Sequence, residues 1–177
     1  MHIQVSRVIA DLKLITPDIH YDYRGEYVET FSRRGYDFHD AAGQPIEFVE
    51  DDISVSRRHV LRGLHGDSRT WKLIQCLQGE FYYVVADLRR GSPSYRRWES
   101  FILNDRNRRQ VLVPAGCANG HLVLSDTCIF SYKQSQYYSG AHDQFTVRWN
   151  DPFLNIHWPI QNPLLSERDS TAPLLVE

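Results

Sequence analysis

Several features are scarce or missing in this chain of 177 residues, and each absence excludes a class of protein. There are three cysteines, Cys76, Cys117 and Cys128, an odd number with no CxxC or zinc-type spacing. Each lies in an apolar run. The expectation is three small buried hydrophobes in a reducing compartment, not a disulfide framework. No apolar run approaches the roughly 18 residues of a membrane helix, so no membrane span is expected. The opening Met1-His2-Ile3-Gln4-Val5-Ser6-Arg7 carries no apolar signal segment, which points to the cytoplasm. The formal net charge is only -2, so bulk charge indicates neither a nucleic-acid partner nor a polybasic membrane surface. The local clusters Arg89-Arg90, Arg96-Arg97 and Arg106 to Arg109 read as solvated strand ends and turns.

Motifs that would announce other chemistry are missing too. The eight histidines form no HxH or HxxxH pair, and His59 and His65 stand six apart. No metal centre is therefore expected. No GxGxxG phosphate loop and no GxSxG elbow occurs, so no cofactor is implied. Repeats, linkers and low-complexity tracts are absent, so residues 1–177 read as a single domain.

What remains is a series of short strand-like runs. From residue 60 onward they cover 60–65, 71–77, 79–88, 96–103, 110–113, 121–124, 127–133 and 145–149. Turn signals such as Gln78-Gly79, Gly91-Ser92-Pro93, Pro114-Ala115-Gly116 and Ser125-Asp126 separate them. That rhythm predicts an all-β sandwich or barrel. Upstream, Ile3 to Ile9, Leu12 to Ile15 and Phe48 to Ser56 also read as strands. Residues 32–44 offer room for one short helix. The tail, Asn150 to Glu177, is expected to wrap the barrel irregularly.

One stretch concentrates chemistry: Val60-Leu61-Arg62-Gly63-Leu64-His65-Gly66-Asp67, followed by Lys72. A regular strand would send Arg62 and Leu64 to one face and Gly63 and His65 to the other. Cations and an imidazole at the head of an apolar strand need partners or a ligand, which suggests a lined pocket. The acid–base candidates are His65, His121, Lys72, Tyr132, Tyr138 and Asp169. Phe130 to Tyr138 reads either as aromatics filling a barrel mouth or as a source of a tyrosine proton donor. Periodicity alone favours packing.

Taken together, the ordered motifs carry a family resemblance. They are Asp22-x-Arg24-Gly25-x-Tyr27-x-Glu29-x-Phe31, Ser54-x-Ser56, Arg62-Gly63-Leu64-His65, Lys72, Val84 to Arg89, Val113-Pro114-Ala115-Gly116, Val123 to Asp126, Tyr132-Lys133-x-Ser135-x-Tyr137-Tyr138 and Leu165-Ser166-x-x-Asp169. The chain resembles the dTDP-4-dehydrorhamnose 3,5-epimerase (RmlC-type) family over about residues 8 to 170. That resemblance implies a cupin-like jelly-roll barrel without a metal, with short helical or irregular segments at the C-terminus. It also implies a homodimer that exchanges N-terminal strands. Its chemistry would be inversion at C3, C5 or both of a nucleotide-linked 4-keto sugar in bacterial surface polysaccharide biosynthesis. By resemblance His65 is the base, Asp169 its carboxylate, Lys72 the cation at the C4 oxygen and Tyr132 the proton donor. Arg24, Glu29, Phe31, Arg62, Asn119, His121 and Tyr138 are implied on the substrate side.

The chain departs from the family pattern in reading His65-Gly66-Asp67 for His-x-Gln. It also reads Ala118-Asn119-Gly120-His121 for Ala-His-Gly-Phe. This pattern is similar to a branch acting on GDP-linked 4-keto heptoses. Two other classes fit the same residues less well. A non-catalytic sugar-nucleotide-binding domain would not need base and donor together, and a 3,4-ketoisomerase would return its proton to oxygen.

Overall fold

The computed structural model describes residues 1–175. Among the described residues, thirteen strands, a 3-10 turn at Ala141–Asp143 before the last strand, and one α-helical turn follow in order. They are β1 (His2–Val5), β2 (Lys13–Thr16), β3 (Ile19–Asp22), β4 (Gly25–Val28), β5 (Glu50–Arg57), β6 (Leu61–Gly66), β7 (Lys72–Gln78), β8 (Glu80–Asp87), β9 (Trp98–Asn104), β10 (Gln110–Val113), β11 (Cys117–Val123), β12 (Thr127–Gln134), β13 (Phe145–Thr146) and α1 (Glu167–Ser170). One six-stranded sheet runs β1-β2-β10-β7-β12-β5, and a five-stranded sheet runs β13-β6-β11-β8-β9. Strands β3 and β4 form a separate hairpin.

Side-chain alternation explains the layering. On β8, Phe81, Tyr83 and Val85 point between the sheets, where they meet Ile74, Cys76, Val111, Cys128 and Phe130. Val84 and Ala86 point the other way and are covered by Leu154, Ile156 and Trp158 of the tail. Both faces of β8 are therefore buried, which is why its sequence is a nearly unbroken apolar run. The outer face of the six-stranded sheet is covered over its middle strands, while Ile53 and Val55 on β5 stay exposed. Leu73 and Leu112 pack under Tyr36, Phe38 and Ile46. Each such apolar side chain removed from water contributes roughly 1.5–3 kcal/mol.

Three local expectations need correction. Residues 32–44 form turns and bends rather than a helix. Tyr36 and Phe38, two apart, both enter the outer cluster, and that spacing belongs to extended chain. Strand β11 begins at Cys117, four residues before the expected 121, because its ladder to β8 continues through Asn119-Gly120. The first strand ends at Val5; Ile9, beyond it, is buried in a turn.

The alternation expected through Arg62 and His65 also fails. Asn119 pairs with His65 and His121 with Arg62, so three residue steps on β6 oppose two on β11. This bulge re-aims the strand. Leu64 goes to the outer cluster, while Arg62 and His65 both face the interior cavity. Gly63 permits it. Its φ is +128°, and a Cβ there would lie 2.6 Å from Gly120 Cα.

Candidate active site

The inner rows of side chains change character partway along the sandwich. On β12 the row runs Cys128, Phe130, Tyr132, Gln134, and on β7 it runs Cys76, Ile74, Lys72. Beyond Ile74 and Phe130 the apolar filling gives way to a cavity of about 350 Å³. His65, Asn119 and His121 reach it from the five-stranded sheet, and Lys72, Tyr132 and Ser54 from the six-stranded one. Asp169 enters from the tail.

His65 and Asp169 form a pair, with Nε2 2.5 Å from Oδ1. The helical turn α1 fixes the carboxylate. Ser166 caps it, its Oγ accepting from the Asp169 N–H at 3.1 Å and donating to Oδ2 at 2.9 Å. Burial by itself would raise the Asp169 pKa. The hydrogen bond from and charge of His65, the Ser166 hydroxyl and the Gly63 N–H outweigh burial and hold it below the ordinary value. Asp169 is therefore ionised at neutral pH, 2% exposed and committed to the imidazole.

Lys72 is 8% exposed. Among the described residues its Nζ has no hydrogen bond or ion pair; it stands 5.6 Å from the centre of the Tyr132 ring. Burial pushes its pKa down, Asp67 and Asp52 push it up, and Arg168 adds to the lowering. Tyr132 is moved the other way, to about 12, by burial and by the charges of Asp52 and Glu50. Its phenol therefore stays protonated. His121 is driven down to about 3 by burial, then by Arg62 and His65, so it is neutral.

Arg62 donates from Nε to Ser56 Oγ at 3.1 Å. Asn119 donates from Nδ2 to the His65 carbonyl at 2.9 Å, bracing the strand behind the imidazole. Tyr138, half exposed, hangs at the cavity edge with its backbone N–H on the Glu50 carboxylate. Eight of the sequence-derived site residues thus line one cavity: His65, Lys72, Tyr132, Asp169, Arg62, Asn119, His121 and Tyr138.

Three do not line the cavity of their own chain. Arg24 sits on the β3–β4 turn, paired with Asp22 at 2.6 Å and largely exposed. Glu29 accepts from Ser32 Oγ at 2.8 Å. Phe31 packs against Tyr36 and Phe48. Conversely, Ser54, Gln134, Gln144, Ser166 and Arg168 line the cavity without having been picked out as site residues. Ser166 carried a signal, as a serine three residues before Asp169 in a capping pattern. Arg168, tied to Thr146 Oγ1 at 2.8 Å and Gln144 Oε1 at 3.2 Å, carried none. Among the described residues no three His, Cys, Asp or Glu side chains gather as a metal would require, and no helix is long and apolar enough to cross a membrane.

Two facing antiparallel sheets enclosing a cavity lined by ionisable groups make this a cupin-like jelly-roll protein. The chain belongs to the dTDP-4-dehydrorhamnose 3,5-epimerase family, whose model matches residues 6–177. It is 43% identical over 164 residues to a dTDP-4-dehydrorhamnose 3,5-epimerase of Pseudomonas aeruginosa, covering 91% of this chain and 89% of that one. The crystal structure of RmlC from Legionella pneumophila in complex with dTDP-4-keto-L-rhamnose superposes with a TM-score of 0.89 at 38% identity, covering 98% of this chain and 92% of that one. ChmJ, a 3'-monoepimerase from Streptomyces bikiniensis in complex with dTDP-quinovose, superposes at 0.85 with 31% identity, over 97% and 87%.

Proposed function

We propose that the chain is an epimerase of nucleotide-linked 4-keto sugars, hexose or heptose, inverting C3, C5 or both. The observation that carries this reading is Lys72, a largely buried residue whose ammonium has no hydrogen bond or ion pair among the described residues and lies over the Tyr132 ring, in the cavity that also holds the His65–Asp169 pair. A buried cation without a partner is costly, and an anion that develops during reaction relieves that cost. Next to a C4 ketone, His65 removes a proton from carbon. The C–H electrons pass into an enolate whose charge rests on the C4 oxygen, beside Lys72. Asp169 steadies the imidazolium. Tyr132, on the opposing sheet and protonated, returns a proton to the other face of the carbon, and solvent exchange resets both groups.

The reading includes a homodimer. The β3–β4 hairpin exposes Tyr21, Tyr23 and Tyr27, a set of aromatics suited to a partner's surface, and carries Arg24 toward a second cavity. Arg24, Glu29 and Phe31 then serve the partner's nucleotide. The enzyme acts in the cytoplasm on precursors of bacterial surface polysaccharide.

The test is incubation with dTDP-, CDP- and GDP-linked 4-keto sugars in deuterated water, with NMR reading which carbon takes up deuterium. Uptake at C3 or C5 with inverted product is expected, abolished in His65→Ala. No uptake with any carrier would refute the reading and leave a binding domain. Near wild-type uptake in His65→Ala would remove His65 as the base.

A further inference from the structure

Arg168 is a cation of the cavity wall that neither the ordered motifs nor the acid–base chemistry uses. It is half-buried and lines the cavity. Its guanidinium is gripped along one edge. Nε and Nη2 donate to Thr146 Oγ1 at 3.2 and 2.8 Å, and Nη2 also donates to Gln144 Oε1 at 3.2 Å. Both acceptors are neutral. Among the described residues Arg168 forms no ion pair, and Nη1 makes no hydrogen bond yet keeps accessible surface. Its two N–H donors are therefore uncommitted. Thr146 is the cross-strand neighbour of His65, so the guanidinium is seated on the strand beside the proposed base.

The charges lining the cavity are unbalanced. Arg62, Lys72 and Arg168 face one carboxylate, Asp169, which His65 already engages. Glu50 and Asp52, behind Gln134, accept from its amide at 2.7 and 3.1 Å. Arg168 also repels Lys72, and like charges gathered in one cavity are costly until an anion enters. A nucleotide-linked sugar carries a permanent anion, its diphosphate, whereas the enolate exists only during turnover. A guanidinium stays charged at any working pH and, once gripped, aims its remaining donors rigidly. That suits the permanent anion.

We infer that Arg168 is a diphosphate-binding residue, presenting Nη1 to a phosphoryl oxygen while Thr146 and Gln144 hold its other edge, and leaving Lys72 to the C4 oxygen. This rests on the sugar-nucleotide reading of the cavity and adds to it a phosphate ligand that no motif marks.

Calorimetry with unreactive ligands and turnover of the keto sugar test it separately. The ligands are the nucleoside, the nucleoside diphosphate and the nucleoside-diphosphate glucose of thymidine, cytidine and guanosine, with wild type, Arg168→Gln and Thr146→Val. In Arg168→Gln both diphosphates should bind about 10-fold or more weakly, the value of one charge-assisted hydrogen bond, and the bare nucleoside as before. Added salt should weaken wild type more than this variant. Thr146→Val keeps the charge and frees the guanidinium, so a smaller loss confined to the diphosphates is expected. With a 4-keto sugar as substrate, the loss in Arg168→Gln should fall on KM and not on kcat. If Arg168 only tied down the tail, its removal would loosen Asp169 and fall on kcat. That result would overturn the inference, as would equal weakening of nucleoside and diphosphate, or unchanged diphosphate binding. Should Arg168→Gln fail to fold, Arg168→Lys, which keeps the charge but not the grip on Thr146, takes its place beside Thr146→Val, and undiminished diphosphate binding in both would overturn the inference. The sugar-nucleotide reading stands in each of these cases. Failure of every nucleotide to bind wild type would overturn both.

Discussion

Replacing Lys72 by methionine separates stability from function, and the structure fixes the sign of both effects. Lys72 as a whole is 8% exposed, and its ammonium has no hydrogen bond or ion pair among the described residues. Methionine keeps the unbranched stem that runs along the inner face beside Ile74 and removes the charge. Leaving a polar group buried and unpaired costs about 1–3 kcal/mol in proteins. The attraction of Asp67 and Asp52 for the cation offsets part of this, and repulsion from Arg168 adds to it. Lys72→Met should therefore be more stable near neutral pH by about 1–2 kcal/mol, a few degrees in melting temperature. The gain should depend on pH. With the folded pKa below the ordinary lysine value, the unfolded chain binds more protons between the two, so wild-type stability rises with pH across that window. The advantage of the variant should shrink there toward zero. Catalysis should move the opposite way. Loss of a cation aimed at a developing enolate costs about 10²–10³ in rate. Urea unfolding at neutral and alkaline pH and deuterium uptake by NMR measure both. A less stable variant would show that Nζ has a structural partner in solution, and undiminished exchange would remove Lys72 from the chemistry. Either result refutes the reasoning.

Three further outcomes are expected. Tyr132→Phe should still wash deuterium into the substrate with retained configuration, while inverted product falls about 10²-fold or more; equal losses in exchange and inversion would sink the donor role. Asp169→Asn should slow exchange by about 10² or more and flatten the acid limb of the stability curve. With its folded pKa depressed, Asp169 contributes stability above the ordinary carboxylate value and loses it as pH falls through the folded value, so an unchanged acid limb would count against the pairing with His65. Exhaustive chelation should leave activity intact, and a stoichiometric metal in active protein would contradict the acid–base mechanism as written.

The all-β class was legible because short apolar runs separated by glycine, proline and Asx turns leave few other ways to bury them. The run over 79–88 was legible as a strand; that both of its faces are covered came only with the structure. His65, Lys72, Tyr132 and Asp169 were legible by resemblance, as ordered motifs. Their convergence was not legible from periodicity, which held Tyr132 to be packing.

The sequence by itself determined which residue types are available: one imidazole with a distant carboxylate, one lysine at a strand head, tyrosines on an alternating strand. Tertiary structure decided where they point. Strict alternation would have sent Arg62 and His65 to opposite faces, and the bulge opposite Gly120 turns both inward. The 104-position separation of His65 and Asp169 is closed only when the tail folds back and Ser166 caps its last turn. The cavity likewise gained Arg168 and Ser54 through contacts far apart in the chain. Local pattern encodes which face of a strand is apolar. Which partners meet across that face depends on ladder register and bulges, and those are set by packing of the whole sandwich.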